Sequence, residues 1–231
     1  MSSKPHSDPV YKEKKIPKNP RKFNLSLNEE QKVAKEIILN NTVTVIKGKA
    51  GSGKSLLAAQ VALDCLHKHS DGIEKVIIAR PAITAGEDIG FLPGSKDDKM
   101  APFSDPVYAN MYRLDTKQNI DKLISDGLIE VIPIGFLRGW NFSKVFVIVD
   151  EAQNATQNQL ELILGRLCIG SKIVICGDSA QIDLKKKADS GFDILYKHMK
   201  DIPGFATVSL QTNHRHPIVE DILEVFSELR A

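Results

Sequence analysis

One stretch of the sequence has the residue types and spacing that bind phosphate groups. It matches the pattern G-x-x-x-x-G-K-[ST] at every fixed position, and its residues are Gly48, Lys49, Ala50, Gly51, Ser52, Gly53, Lys54 and Ser55. In such a loop the backbone N–H groups surround a polyphosphate, the lysine reaches the β- and γ-phosphates, and the serine hydroxyl ligates Mg²⁺. A surface turn rich in Gly and Ser is the alternative interpretation. The apolar runs on both sides, 42–46 and 56–66, favour a strand and a helix joined by a phosphate loop.

A second pattern supplies the acids that this chemistry needs. The run 144–149 is β-branched and aromatic after Lys144, which predicts a strand buried on both faces, and it is followed by Asp150 and Glu151. This is the Walker B arrangement, in which Asp150 holds Mg²⁺ and Glu151 polarises the attacking water. The alternative is a pair of exposed acids that cap the next helix.

Two glutamines are further candidates for the site. Gln181 follows the predicted strand 172–176 after a short polar turn, where an amide can touch the γ-phosphate or the lytic water; a plain turn residue is the alternative. Gln31 lies three residues after Asn28 and so has the spacing of a helix-capping box, as Glu29 has with Ser26. Its amide also offers a donor and an acceptor to an adenine edge.

The elements that position these residues follow a simple alternation. Strands are predicted at 42–46, 75–79, 128–132, 144–149, 172–176 and 206–210, and helices at 26–40, 56–66, 105–115, 117–125, 156–167, 190–199 and after Pro217. The stretch 83–104 is rich in Gly and Pro and predicts a long loop with at most a short helix. The economical fold for this order is α/β, with a doubly wound parallel sheet.

Length and charge set the domain organisation. A chain of 231 residues suits one α/β domain, which we place at 26–231. The net charge of +2 is unevenly divided, because residues 1–25 hold seven Lys/Arg and two acids. With four prolines and little apolar periodicity, this stretch predicts a basic flexible arm that either contacts nucleic acid or is a solvated tail.

The compartment follows from what the sequence lacks. There is no apolar run of membrane-spanning length and no apolar signal-peptide core. Cys65, Cys168 and Cys176 form no C-x-x-C pair and stand among apolar neighbours, which indicates reduced packing residues. We therefore expect a cytoplasmic protein.

Several other polar residues leave two interpretations open. Arg80 precedes Pro81 at the carboxyl end of a predicted strand, where open α/β sheets place ligand contacts. Arg138 is either an anchored salt-bridge residue or a phosphate contact, and the neighbouring Trp140 is more typical of a core than of a base-stacking surface. His214 and His216 have no third ligand at metal spacing and are interpreted as surface residues.

An acid directly after the Walker B aspartate is typical of P-loop ATPases that activate water. P-loop kinases of small molecules more often position an acceptor hydroxyl instead. The sequence therefore favours ATP hydrolysis coupled to movement over phosphoryl transfer to a metabolite.

At this point the chain resembles a known family, the PhoH-like ATPases, over roughly residues 26–230. The matching motifs are the phosphate loop, Arg80-Pro81-Ala82, Gly86-Glu87, Gly90-Phe91-Leu92-Pro93-Gly94, Phe136-Leu137-Arg138-Gly139, Asp150-Glu151-Ala152-Gln153-Asn154, Gly177-Asp178 with Gln181, and Arg215-His216-Pro217. The resemblance implies a RecA-like core related to superfamily-one helicases, with links to RNA metabolism in some members. It puts Gln31 at the adenine position, Gln181 at the third helicase motif and Arg215 at the arginine-finger position. It implies no nuclease activity, because no PIN domain is present in this sequence.

Arg215 raises the question of assembly. Superfamily-one helicases complete their site with an arginine from a second RecA-like domain, and this sequence has one such domain. We therefore predict that Arg215 enters the site of a neighbouring subunit in a head-to-tail ring, a hexamer. The alternative is a local pair with Glu220 or Asp221 at the start of its own helix.

Two functions stay open on the sequence alone. One is an ATP-driven motor on single-stranded RNA or DNA, with helicase-like or translocase-like action. The other is an ATP-switched assembly or regulatory module whose partner is a protein. The slight acidity of the core and its few aromatic residues weigh against strong nucleic-acid binding by the core itself.

Overall fold

The computed structural model describes residues 25–81, 96–199 and 201–216, together with five helical residues after Pro217, namely Ile218, Val219, Ile222, Val225 and Phe226. The helices are α1 (Glu29–Asn40), α2 (Lys54–Lys68), α3 (Lys96–Tyr112), α4 (Lys117–Ser125), α5 (Gln157–Leu164) and α6 (Phe192–His198). The strands are β1 (Val43–Gly48), β2 (Lys75–Arg80), β3 (Ile129–Pro133), β4 (Val145–Val149), β5 (Lys172–Gly177) and β6 (Phe205–Leu210). The predicted basic arm lies outside the described residues, except for Leu25.

All six strands pair in parallel and form one sheet in the order β3-β2-β4-β5-β1-β6. β5 lies between β1 and β4, so the phosphate loop and the acid pair emerge two strands apart at the same edge of the sheet. With neighbouring strands about 4.8 Å apart, this separation is about 10 Å. β6 pairs with the other side of β1, and Leu210 is in register with Gly48.

The strands alternate their side chains between two hydrophobic cores. Ile46, Ile148 and Val174 point into the core that contains α1, α2, α3 and α4, whereas Val45 and Val147 point into the core beneath α5 and α6. Helices therefore cover both faces of the sheet. The predicted α/β class and the doubly wound parallel sheet are confirmed.

Local signals explain where most helices begin. The Asn28 side chain accepts from the Gln31 N–H and Gln31 accepts from the Asn28 N–H, so the capping box at α1 uses this pair and not Ser26 with Glu29. Thr116 and Thr156 cap α4 and α5 in the same manner, by accepting from an N–H three residues later. Each cap satisfies an N–H group that has no partner inside its helix.

The predicted loop over 83–104 is wrong in its second part, because α3 begins at Lys96 and ends at Tyr112. Pro102 and Pro106 both lie inside this helix, and Pro102 belongs to the stretch that was interpreted as a loop. Each removes one backbone donor, but Val107 and Met111 are buried against α2, α4 and β3, and this packing outweighs the loss. Residues 82–95, which carry three of the quoted motifs in whole or in part, lie outside the described residues.

The cysteines are free, as predicted. Cys65 and Cys176 are buried and Cys168 is half-buried. Burial raises the pKa of the Cys65 thiol to about 11 and that of Cys176 well above its usual value, so both stay protonated at neutral pH. Among the helices described, none combines the length and the apolar character required to span a bilayer.

Candidate nucleotide-binding site

A cavity of about 580 Å³ opens at the carboxyl ends of β1, β4 and β5. It brings together residues from stretches far apart in the sequence, including Gln31, the phosphate loop, the acid pair, Gln181 and Arg215. The carboxyl edge of a parallel sheet, where the strand order changes direction, is where open α/β folds bind ligands. The structure thus places the predicted site residues around one cavity.

The phosphate loop has the backbone geometry that its glycines allow. Gly51 and Gly53 have φ angles of +88° and +83°, which side-chain-bearing residues rarely adopt. A Cβ atom on Gly53 would lie 2.8 Å from Nε2 of Gln31, and one on Gly51 would lie 2.8 Å from Cγ of Arg215. The two glycines therefore also let α1 and the segment 211–216 pack directly on the loop.

Lys54 begins α2 and lies over the loop. Its Nζ donates to the carbonyl oxygens of Gly48 (2.7 Å) and Lys49 (3.0 Å). The Lys54 ammonium thus has two hydrogen-bond acceptors in the loop itself when no ligand is bound. The flexible lysine stem lets the same group turn to phosphate oxygens that enter the cavity.

Ser55, in the first turn of α2, and Asp150, which follows β4, lie side by side. The Ser55 hydroxyl donates to Oδ1 of Asp150 at 2.5 Å. Oδ2 of Asp150 lies 3.7 Å from Nε of Arg80, whose Nη1 donates to the carbonyl of Phe103. An alcohol and a carboxylate are the hard oxygen ligands that Mg²⁺ prefers, so these residues fit a magnesium site. Arg80 contacts the oxygen of Asp150 that Ser55 does not contact, and it does not line the cavity.

Glu151 adopts a left-handed backbone conformation, with φ of +54°. Its Oε2 accepts from Nε2 of Gln153 at 2.7 Å, and Oε1 of Gln153 accepts from the Asp178 N–H at 3.0 Å. Gln153 is 1% exposed, so this amide forms a buried bridge between the ends of β4 and β5. Glu151 is thus held in one orientation at the cavity wall.

The turn 178–183 is attached to its surroundings at three points. Asp178 accepts from the Ala50 N–H at 2.9 Å, Ser179 donates to Asp193 at 2.6 Å, and the Asp183 N–H donates to the buried Asn154 at 2.7 Å. Burial raises the pKa of Asp193, but the bond from Ser179 and the charge of Lys47 outweigh it, and the net pKa is lowered. Asp193 is therefore ionised at neutral pH.

Gln181 lies inside this anchored turn. Its N–H donates to the Asp178 carbonyl at 3.0 Å, as in a turn residue, and its exposed side chain lines the cavity. The two interpretations of Gln181 are therefore compatible. A role as a sensor of the γ-phosphate stays a prediction.

Gln31 is 7% exposed and lies at the edge of the cavity. Its Oε1 accepts from the Asn28 N–H, and its Nε2 donates to the Ser52 carbonyl at 3.3 Å and lies 3.2 Å from Nε2 of His214. The capping role is therefore present. Adenine recognition by Gln31 stays a prediction, and here the amide ties α1 to the phosphate loop.

Arg215 lines the cavity of its own chain. β6 ends beside β1, so the segment that follows it must pass the phosphate loop. The Gln211 and Thr212 N–H groups donate to the Glu30 carboxylate at 2.9 and 2.8 Å, and the His214 N–H donates to the Gly51 carbonyl at 3.0 Å. Entry into a neighbouring site stays a prediction. Glu220 and Asp221, the alternative partners, lie outside the described residues.

Arg138 and Trp140 lie away from this cavity. Arg138 follows the edge strand β3 and is exposed, with no salt bridge to any described residue. The salt-bridge interpretation therefore finds no partner among the described residues, and a phosphate contact stays a prediction. Trp140 packs against the α5 and α6 core, as expected, and Lys75 lies over its ring with 5.4 Å between Nζ and the centroid.

Several residues at the site were missed by the sequence reasoning. Gln153 and Asp178 were quoted only as parts of a motif, and Gln60 and Arg113 were not considered. His214 is exposed, as predicted, but it also lines the cavity. Arg113 follows α3, and no pattern marks it as polar lining of a cavity. A possible signal for Gln60 was a polar residue inside a helix that is otherwise apolar on nearly every face.

Comparison with known proteins gives the same picture as the motifs. The family model described as PhoH-like protein matches residues 25–227. A PhoH-like protein of Synechocystis is 40% identical over 82% of this chain and 58% of its own length. A PhoH-like protein of Bacillus subtilis is 38% identical over 78% of this chain and 57% of its own length. The chain thus spans less than three fifths of these relatives.

Two Pif1 helicases are among the solved structures that align with this chain. The Pif1 helicase from Candida albicans aligns with a TM-score of 0.45 and 15% identity, over 89% of this chain and 44% of its own. Bacteroides Pif1, solved bound to single-stranded DNA, aligns with a TM-score of 0.43 and 21% identity, over 87% and 46%. Alignments at this level carry no information about activity.

Proposed function

Because this chain belongs to the PhoH-like protein family, which its motifs and its sheet both fit, we propose that it is a magnesium-dependent ATPase. The observation that supports hydrolysis best is the held orientation of Glu151. Its carboxylate faces the cavity two strands from the phosphate loop, where the γ-phosphate of a loop-bound triphosphate would lie. The bond from Gln153 fixes it there.

Each residue then has a role that its position allows. The loop N–H groups and the start of α2 bind the β-phosphate, and Lys54 turns from the loop carbonyls to the γ-phosphate. Bound between Ser55 and Asp150, Mg²⁺ would neutralise charge that develops on the phosphate oxygens. Glu151 accepts a hydrogen bond from water and aligns it for attack, and Gln181 senses the γ-phosphate from the anchored turn.

The decisive measurement is phosphate release from Mg-ATP by the purified protein, compared with two variants. Lys54→Ala should lose both nucleotide affinity and turnover. Glu151→Gln should bind ATP like the wild type and hydrolyse it much more slowly. If Glu151→Gln turns over at the wild-type rate, another group handles the water and the proposed mechanism is wrong.

Coupling of hydrolysis to single-stranded nucleic acid is the function we favour. Three consecutive lysines, Lys185, Lys186 and Lys187, are exposed directly after the anchored turn. Cations at this position can neutralise phosphates of a strand that crosses the edge of the sheet, and they would be linked to the γ-phosphate through Gln181. Stimulation of ATP turnover by single-stranded RNA or DNA tests this. The stimulation should fall with rising salt and with Lys186→Ala.

A protein partner is the second candidate. Ile218, Ile222, Val225 and Phe226 follow helical spacing and are each about half exposed, so they form an apolar helix face directly after Arg215. Such a face suits docking onto another protein, and then nucleic acid would leave ATP turnover unchanged. The same stimulation experiment therefore separates the two candidates.

The hexameric ring with Arg215 acting in trans is tested by mixing variants. Entry into a neighbour would require 211–216 to leave Glu30 and Gly51, at the cost of three hydrogen bonds. If Arg215 acts in trans, a mixture of Lys54→Ala and Arg215→Ala proteins regains turnover, because intact loops meet intact arginines. If Arg215 serves its own cavity, as its position favours, the mixture stays inactive.

A further inference from the structure

The magnesium site that Ser55 and Asp150 fit has few ligands of its own. Ser55 supplies a hydroxyl and Asp150 a carboxylate, and the described part of the chain holds no cluster of three or more His, Cys, Asp or Glu side chains suited to a metal ion. Proteins usually hold Mg²⁺ by one or two carboxylates together with waters and the phosphates of a substrate. This pair can therefore hold the metal firmly only together with phosphate oxygens of a nucleotide.

A positive charge lies against the other oxygen of the Asp150 carboxylate. Arg80 is the last residue of β2, and β2 pairs with β4, so its guanidinium comes next to Asp150. Nε of Arg80 lies 3.7 Å from Oδ2 of Asp150, whereas Ser55 contacts Oδ1. The two side chains are only 20% and 12% exposed, so water screens this interaction less than it screens a surface ion pair.

The contacts that hold Arg80 in place leave its charge available to Asp150. Nη1 donates to the Phe103 carbonyl at 3.1 Å, and the guanidinium lies over the Phe103 ring, 5.6 Å from the centroid. Neither contact is with a carboxylate, and the buried Nε makes no hydrogen bond to any described residue. Among the described acids, Asp150 is the one within ion-pair distance of this guanidinium.

We propose that Arg80 is a positioning residue that makes metal binding at Asp150 depend on the nucleotide. This role rests on the proposed magnesium-dependent ATPase function. The guanidinium opposes a second cation on the same carboxylate, so Asp150 stays paired with Arg80 and holds free Mg²⁺ only weakly when no nucleotide is present. The phosphates of a bound nucleotide add the negative charge that overcomes this opposition. Arg80 also keeps Oδ1 of Asp150 directed at Ser55, as groups behind a metal ligand commonly do.

The experiment measures the dissociation constant of Mn²⁺, which prefers the same oxygen ligands as Mg²⁺ and whose free ion gives an EPR signal. Titrations are made with and without imido-ATP, an analogue that is not hydrolysed, on the wild type, Arg80→Gln, Arg80→Lys and Lys68→Gln. Glutamine is neutral but can still donate to the Phe103 carbonyl, and lysine keeps the charge. Lys68→Gln is the matched control, because it removes one exposed positive charge about 20 Å along α2 from Ser55.

Without nucleotide, Arg80→Gln should bind Mn²⁺ about tenfold more tightly than the wild type, whereas Arg80→Lys and Lys68→Gln should bind it as the wild type does. Imido-ATP should strengthen Mn²⁺ binding in the wild type, and it should do so less in Arg80→Gln, because the neutral residue no longer opposes the free ion and orients the carboxylate less well.

Nucleotide-free binding that is unchanged or weaker in Arg80→Gln overturns the proposal. An Arg80→Lys protein that behaves like Arg80→Gln also overturns it, since the charge would then not be responsible. Equal Mn²⁺ binding by the wild type with and without imido-ATP overturns it independently of any variant. If the wild type binds neither imido-ATP nor Mn²⁺, the proposed ATPase function fails as well, and that outcome is distinct from a defect at Arg80 alone.

Discussion

The two ends of the cavity differ in how their polar side chains are held. At the acid end, formed by Asp150, Glu151, Gln153 and Asp178, every side chain has a hydrogen bond from another part of the described chain. At the base end, formed by Leu25, Leu27, Leu56, Gln60 and Arg113, the two polar side chains have no partner among the described residues.

This difference indicates that the two ends have different roles, one in the reaction and one in ligand recognition. Groups that act on a transition state work best when their orientation is fixed before the ligand arrives, since no reorganisation is then needed. Groups that recognise a ligand need unused donors and acceptors. We therefore expect changes at the acid end to alter kcat and changes at the base end to alter KM.

The largest expected effect is at the acid end. Glu151→Gln should lower kcat by about 10³-fold, because an amide aligns water poorly and accepts no proton from it. The KM for ATP should change less than twofold. Steady-state phosphate release measures both, and Glu161→Gln, on the exposed side of α5, is the matched control. A large rise in KM with unchanged kcat would contradict the assignment.

The next largest effect is expected from a change that disturbs the orientation of Glu151. Gln153→Leu removes the bond to Glu151 and should lower kcat roughly 10- to 100-fold while KM stays near the wild-type value, since misplacing a catalytic group by about 1 Å has such an effect. Gln157→Leu, an exposed change on α5, should leave both constants unchanged. Equal losses in binding and turnover would instead indicate a general collapse of the site.

A smaller effect is expected at the base end. Arg113 is exposed at the cavity edge, so Arg113→Ala should raise the KM for ATP about two- to fivefold at unchanged kcat. The increase should shrink as salt rises, because exposed charges are screened. Lys122→Ala, on the exposed face of α4, serves as control. A drop in kcat would show that the two ends are not separate.

The smallest effect is on stability and depends on pH. Burial raises the pKa of Glu30, but the Gln211 and Thr212 N–H groups that donate to it lower the pKa by more, so its folded value lies below its ordinary one. A depressed carboxylate pKa contributes stability at neutral pH that is lost as pH falls through the folded value. Glu30→Gln should therefore unfold more easily at pH 7, by under about 1 kcal/mol.

Unfolding measured by denaturant at several pH values checks this expectation. The difference between Glu30→Gln and the wild type should shrink as the pH falls through the folded pKa of Glu30, which lies below the ordinary value, because the wild-type carboxyl then also becomes neutral. A difference that persists once the wild-type carboxyl is neutral would show that the amide disturbs the segment 211–216 for steric reasons and not through charge.

The sequence predicted most of the fold and the acid end of the site. The phosphate loop, the run before Asp150 and the helical face of Leu160 and Ile163 each carry a local pattern, and the structure places them as expected. The order of the strands in the sheet, in contrast, depends on contacts between residues far apart in the sequence. Only the pairing of β6 with β1 explains why Arg215 lies beside its own phosphate loop.

The rest could not be predicted, for physical reasons that differ by residue. α3 depends on packing that outweighs two prolines, and no short pattern reports such packing. The roles of Gln153 and Asn154 come from bonds to residues about 25 to 30 positions away, which exist only once β4 and β5 are adjacent. The position of Gln60 at the cavity is visible only in the folded structure.

The single strand β5 sets a fixed distance between the phosphate loop and Glu151. Because backbone pairing sets that length, it does not adapt to the ligand. If the chain binds ATP as we propose, the γ-phosphate of a triphosphate would face Glu151, whereas a diphosphate held by the same loop would end short of it and leave that space to water. The sheet itself would then distinguish the proposed substrate from its product by length.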